Sequence, residues 1–121
     1  MLTVDANVFV SAASPADVFH ADSDEFLRRV RRFRLPLHCP ALLLPETASG
    51  IVRPTGDLLA AQMAVISVET FPGMNLAALT EARAHEAGTP LITWDGEMLA
   101  RGAQAVSAMT PTDWLAANPP L

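Results

Sequence analysis

The sequence predicts an α/β fold, a single domain whose parallel sheet is covered on both faces by helices. Three observations carry this expectation. The chain has 121 residues, half of them hydrophobic, which suits one domain with a real core. Short apolar runs alternate with stretches of helical periodicity, the pattern of strand–helix–strand units. Two of those runs, Leu2-Thr3-Val4 and Leu91-Ile92-Thr93-Trp94, stop on a carboxylate, Asp5 and Asp95.

Each element follows in order. Leu2 to Val4 reads as a strand, and apolar residues resume at Val8-Phe9-Val10. Ser14-Pro15 predicts a helix start, with Ser14 as cap and Pro15 in the first turn. A helix is expected over about 23–34: Phe26, Val30 and Phe33 recur at helical spacing, with acids early and arginines late, as the dipole favours. Pro36 ends it, and Leu37-His38-Cys39 is a short candidate strand. Pro45 opens a helix with Glu46 in its first turn, running to about Arg53. Pro54-Thr55-Gly56 reads as a break, Asp57 to Met63 as a helix, and Val65 to Val68 as a strand by its alternation. After Pro72-Gly73 an alanine-rich helix is expected from Asn75 to Ala87, closed by Gly88. Leu91 to Trp94 is a strand, Met98 and Leu99 belong to a short helix, and Ala105 to Met109 is a last strand. Thr110 caps a terminal helix.

Composition excludes several function classes. Thirteen acids against eight bases give a net charge of −5, unlike a globally basic nucleic-acid binder. All eight bases are arginine. No apolar run approaches the roughly 18 residues a membrane span requires. The N-terminus lacks a positive signal region, so a cytoplasmic protein without membrane contact is expected. Cys39, the single cysteine, has no disulfide partner and no companion cluster for zinc.

Ligands of open α/β sheets sit beyond the carboxyl ends of the strands. If the strands ending at Asp5 and Asp95 are neighbours, both acids face one crevice, and Glu46 at a helix start can reach the same edge. Converging carboxylates repel one another unless a divalent cation neutralises them, and hard oxygen ligands select Mg²⁺ or Mn²⁺. The plainer reading of each acid alone is a turn residue or helix cap.

Three segments in this order, Val4-Asp5-Ala6-Asn7-Val8-Phe9-Val10, Pro40-Ala41-Leu42-Leu43-Leu44-Pro45-Glu46 and Gly88-Thr89-Pro90-Leu91-Ile92-Thr93-Trp94-Asp95, together resemble a PIN domain. The likeness is greatest to the VapC-type toxin nucleases of bacterial toxin–antitoxin pairs, and Met109-Thr110-Pro111-Thr112-Asp113-Trp114-Leu115 is similar to a frequent ending of that family. The resemblance implies a three-layer α/β/α sandwich with a central parallel sheet of four to five strands. It also implies a Mg²⁺- or Mn²⁺-dependent ribonuclease in which Asp5, Glu46 and Asp95 match the metal-binding acids, with Asn7 and Thr93 as supporting polar residues. A metal-activated water attacking the RNA phosphate, a 5′-phosphate product, a homodimer and a silencing antitoxin are further implications.

The chain departs from that pattern at one place. The family usually carries another aspartate early in the helix before the last acidic strand, and counting back from Asp95 puts it near Ala77 or Ala78. Asn75 lies just before and offers a neutral oxygen. Glu81 lies one helical turn after Ala77, its headgroup starting about 6 Å along the axis. Either a neighbour such as Glu81 substitutes, or the metal site is weakened. The second outcome defines a rival function, a catalytically degenerate PIN domain that binds RNA or protein without cutting. A phosphate enzyme with Asp5 as nucleophile fits less well, because Asn7 stands where a second aspartate is usual and the chain has no lysine.

Five of the eight arginines, Arg28, Arg29, Arg31, Arg32 and Arg34, crowd one predicted helix. Guanidinium groups suit phosphate, so this face is a candidate RNA or antitoxin contact; its plainer reading is a solvated helix face. Trp94 and Trp114 are expected to pack rather than stack on bases, and His20, His38 and His85 show no ligand spacing.

Overall fold

The computed structural model describes residues 1–77, 90–101 and 108–120. The elements run β1 (Thr3–Val4), α1 (Ala6–Ala12), α2 (His20–Arg32), β2 (Leu37–Pro40), α3 (Leu43–Thr55), α4 (Leu58–Glu69), β3 (Met74–Ala77), β4 (Leu91–Ile92), α5 (Gly96–Arg101), β5 (Ala108–Met109) and α6 (Pro111–Ala117). The fold is mixed α/β, and every ladder among the described residues is parallel. Instead of one sheet of four to five strands there are two: β1-β4-β5 and β2-β3. They meet at a single bridge, Leu2 to Leu37, where His38 N–H donates to Leu2 O at 2.9 Å. The strands of the first sheet are two residues long, and such short ladders hold little more than their central bonds.

β1 therefore lies between β4 and β2. Leu2, Thr3 and Val4 are all buried, and successive strand residues face opposite ways, so this strand is covered on both faces. The main core joins Val4, Val8, Phe26, Val30, Leu37 and Ile92, with Trp114 edge-on to Phe26. A smaller cluster of Ile51, Ala61 and Ala64 holds α3 to α4.

Four sequence expectations are corrected. Ser14 does not start a helix: its hydroxyl donates back to Val10 O at 2.7 Å and finishes α1, and the next helix waits until His20. Val65 to Val68 is helical, within a helix capped by Asp57. There the alternation of β-branched residues yields to packing, because Ala61, Ala64 and Val68 fall on one buried helical face. Asn75 to Ala77 forms β3, drawn into pairing with β2 directly after Gly73 turns the chain at φ 81°. The rest of that expected helix lies outside the described residues, as do Glu81, His85 and the start of the last strand. Finally, α3 runs through Pro54 to a left-handed Gly56 cap instead of breaking before it.

The helix expected over about 23–34 is present as α2 over 20–32, and β2, α5 and the Thr110-capped α6 are found where expected. Among the described residues no helix is long and apolar enough to cross a membrane.

Candidate active site at the carboxyl ends of β1 and β4

Asp5 and Thr93 each sit one residue past a strand. Asp5 N–H donates to Ile92 O at 2.9 Å and Thr93 N–H to Met109 O at 3.1 Å, so both positions extend the parallel ladders by one rung. Their side chains meet beyond the sheet. Thr93 Oγ1 donates to Asp5 Oδ2 at 2.7 Å, and Asn7 Nδ2 reaches both Asp5 Oδ2 (3.2 Å) and Thr93 Oγ1 (3.1 Å). Asp5 Oδ1 accepts Ala6 N–H at 2.7 Å, capping α1. Asn7 Oδ1 in turn accepts Trp94 N–H at 3.1 Å, and Thr93 Oγ1 accepts Asp95 N–H at 3.0 Å. The Thr93 hydroxyl thus donates once and accepts twice, which uses its full bonding capacity.

Glu46 stands in the first turn of α3. Its carboxyl is held above the ordinary 4.5, first by loss of solvent around it and then by the charge of Asp5. Glu46 is nevertheless exposed as a residue, so solvent screens much of that repulsion. Asp5 and Glu46 therefore share one electrostatic neighbourhood.

Asp95 is used differently. Its Oδ1 accepts Glu97 N–H at 2.9 Å and Met98 N–H at 3.4 Å, capping α5. Among the described residues no group of three or more histidine, cysteine or acidic side chains is placed to hold a metal ion. The sequence-predicted acids are thus gathered as a pair, Asp5 with Glu46, and not as a triad. Asn75 lies on β3 with its amide 3.4 Å from His38 Nδ1. Ala77, near which the sequence pattern places a further acid, ends β3 in register with Pro40.

The pair still suits a hard divalent cation. The charge of Asp5 adds to the cost of ionising Glu46, a cost that a positive ion relieves, and Mg²⁺ commonly takes one or two protein carboxylates while retaining water and binding substrate phosphate. Asn7 and Thr93 hold Asp5 in one orientation, as outer partners of metal ligands do.

An aromatic pair missed by the sequence reading adjoins this site. Trp94 stacks on Phe19, ring centroids 4.1 Å apart and planes 13° from parallel, and its Nε1 donates to Ser23 Oγ at 2.8 Å. Trp94 therefore packs, as expected, but the partner Phe19 carried no signal beyond being aromatic. A cavity of about 320 Å³ runs between this pair and α3, lined by Asn7, Phe19, Glu46, Gly50 and Trp94 among others.

The arginines of α2 divide. Arg29 is structural: its Nη1 donates to Leu115 O at 3.0 Å and Asn118 O at 2.9 Å at the end of α6, and it pairs with Glu25 at 3.2 Å. Arg31 lies over the Phe71 ring, 5.0 Å from its centroid. Arg28 pairs with Asp24 at 2.9 Å on an open surface, and Arg32 is exposed.

No protein-family model matches the chain, and no curated protein matches it significantly.

Proposed function

We propose that this chain is a PIN-like ribonuclease dependent on Mg²⁺ or Mn²⁺, acting as the toxin of a toxin–antitoxin pair in the cytoplasm. The observation that carries the reading is Asp5 at the carboxyl end of β1, fixed by Asn7 and Thr93, with its charge acting on Glu46 in the first turn of α3. Asp5 and Glu46 would hold the cation, with Asp95 as the third acid of the set. The bound ion would supply a water of lowered pKa and positive charge against the phosphate. Asn7 and Thr93 hold Asp5 Oδ2 while Oδ1 caps α1, which fixes the carboxylate in one orientation. The exposed arginines Arg28, Arg31 and Arg32 are the charges available to RNA or to an antitoxin, and Arg29 serves the fold first. Self-association is supported by exposed apolar residues on α4: Leu58, Leu59, Met63 and Ile66, beside an apolar groove of about 390 Å³.

A second reading has its own observation. Ala77 and the absence of a triad among the described residues favour a degenerate PIN-like module that binds RNA or protein without cutting. Calorimetric titration of Mn²⁺ into wild type and Asp5→Asn separates the two, together with cleavage of a mixed RNA pool. Nuclease function requires metal binding that Asp5→Asn abolishes and cleavage that disappears with it. Wild type that takes up no metal at millimolar concentration ends the nuclease reading.

A further inference from the structure

We infer that Phe19 is a stacking platform for one nucleobase of single-stranded RNA, seated in the cavity lined by Asn7 and Glu46; this rests on the nuclease reading for its substrate. One face of the Phe19 ring is covered by Trp94 at 4.1 Å. Phe19 is still 42% exposed as a residue and borders the cavity, so the face of the ring away from Trp94 is the one open to a ligand. A fixed stack holds this ring in place. Asp17 Oδ1 accepts Phe19 N–H at 2.8 Å, and His20 N–H donates to Asp17 O at 3.0 Å, which locks the loop that presents the ring. Trp94 beneath it is anchored twice, by its backbone N–H to Asn7 and its indole N–H to Ser23.

The adjoining cavity of about 320 Å³ is large enough for a planar heterocycle. Its lining also selects which end of a nucleotide enters. Asp17 and Glu46 both border it and repel phosphate, so the phosphate stays outside and the base goes in. Every base offers a π-face, and stacking on an aromatic side chain is sequence-tolerant. Asn7, which lines the cavity, also donates to Asp5 Oδ2, so a base on Phe19 sits one side chain away from Asp5.

The test uses fluorescence anisotropy of a labelled single-stranded RNA hexamer with EDTA present, so that neither metal binding nor cleavage contributes. Phe19→Ala is expected to bind roughly 5- to 150-fold more weakly than wild type. Phe19→Tyr, which keeps the ring, is expected to match wild type. An abasic hexamer of equal charge should bind wild type and Phe19→Ala alike. Phe19→Leu keeps apolar bulk without a π-face and gives the same comparison if the alanine variant does not fold. Equal affinity of wild type and the ring-less variants for the normal hexamer overturns the platform, as does an equal loss on the abasic one or no binding by wild type. The Mn²⁺ titration of Asp5→Asn judges the nuclease reading separately. Failure there with base-dependent binding intact removes the nuclease and leaves the platform.

Discussion

The Thr93 hydroxyl donates to Asp5 Oδ2 at 2.7 Å, joining two residues 88 positions apart across the β1–β4 pair. Thr93 is fully buried, and its oxygen also accepts from Asn7 and from the Asp95 backbone. Thr93→Val keeps the shape and deletes all three bonds. It leaves buried or half-buried polar groups short of partners, at a cost of about 1–3 kcal/mol. Urea unfolding measures it: a lowered midpoint with an unchanged slope is expected. The effect should also be non-additive with Asn7→Ala, because both variants break one network. Full additivity would mean that the network does not act as a unit.

Glu46 gives the site a pH signature. Its native carboxyl is raised above 4.5 by desolvation and then by Asp5. A raised carboxyl in the native state means that the folded protein binds the proton more tightly than the unfolded chain. Stability from this group is therefore complete below 4.5 and falls as pH rises through the raised native value. Glu46→Gln removes the titration, so its stability relative to wild type should improve as pH rises from 4.5 through the raised native value. Screening at this exposed residue keeps the change small. Adding Mn²⁺ near neutral pH should narrow the gap by stabilising wild type alone. A difference between the two proteins that stays constant with pH would remove Glu46 from the vicinity of Asp5.

The arginines of α2 predict two separable outcomes. Arg29→Lys cannot reproduce the fork that spans Leu115 O, Asn118 O and Glu25, so it should cost about 1–3 kcal/mol of stability. Replacing both Arg28 and Arg32 with glutamine should leave stability within about 0.5 kcal/mol, since both are exposed. If they meet RNA phosphates, the same double variant should flatten the plot of log affinity against log salt by about 1.4 for single-stranded RNA. An unaltered slope would assign these two arginines to a protein partner or to solvent.

What the sequence disclosed, and what it concealed, divides along local and non-local lines. Asp5 was legible because an apolar run that ends on a carboxylate marks a strand end, and parallel neighbours bring such ends together; Asn7 and Thr93 were legible only through the motif resemblance. The helix over 20–32 was legible from Phe26, Val30 and the order of its charges. Val65 to Val68 was not, since only the burial of Ala61, Ala64 and Val68 along one helical face decides against a strand. Asn75 to Ala77 misled for the same reason: Leu76 and Ala77 favour helix, yet the segment was captured by pairing with Leu37–Pro40, some 37 positions away. The use of Asp95 as a cap, and the stack of Phe19 on Trp94, depend on a loop geometry that no periodicity encodes.

Arg34 supplies a test of the backbone alone. It follows the C-cap of α2 with φ 56°, the left-handed region that side chains other than glycine and asparagine seldom occupy. Leu35 N–H donates to Val30 O at 3.1 Å and Arg34 N–H to Arg31 O at 3.2 Å, the paired bonds that close a helix around a left-handed residue. Arg34 is exposed, so its side chain contributes little packing. Arg34→Gly should therefore relieve about 1–2 kcal/mol of local strain. Part of that is offset by the roughly 0.4–1 kcal/mol that glycine's freedom adds to the unfolded chain. The net expectation is a gain of about 0.5–1 kcal/mol in thermal or urea unfolding. Arg34→Ala removes the same charge but keeps the strain, so it should gain nothing. Equal stabilisation by both variants would trace the effect to the charge among the five clustered arginines and not to the turn.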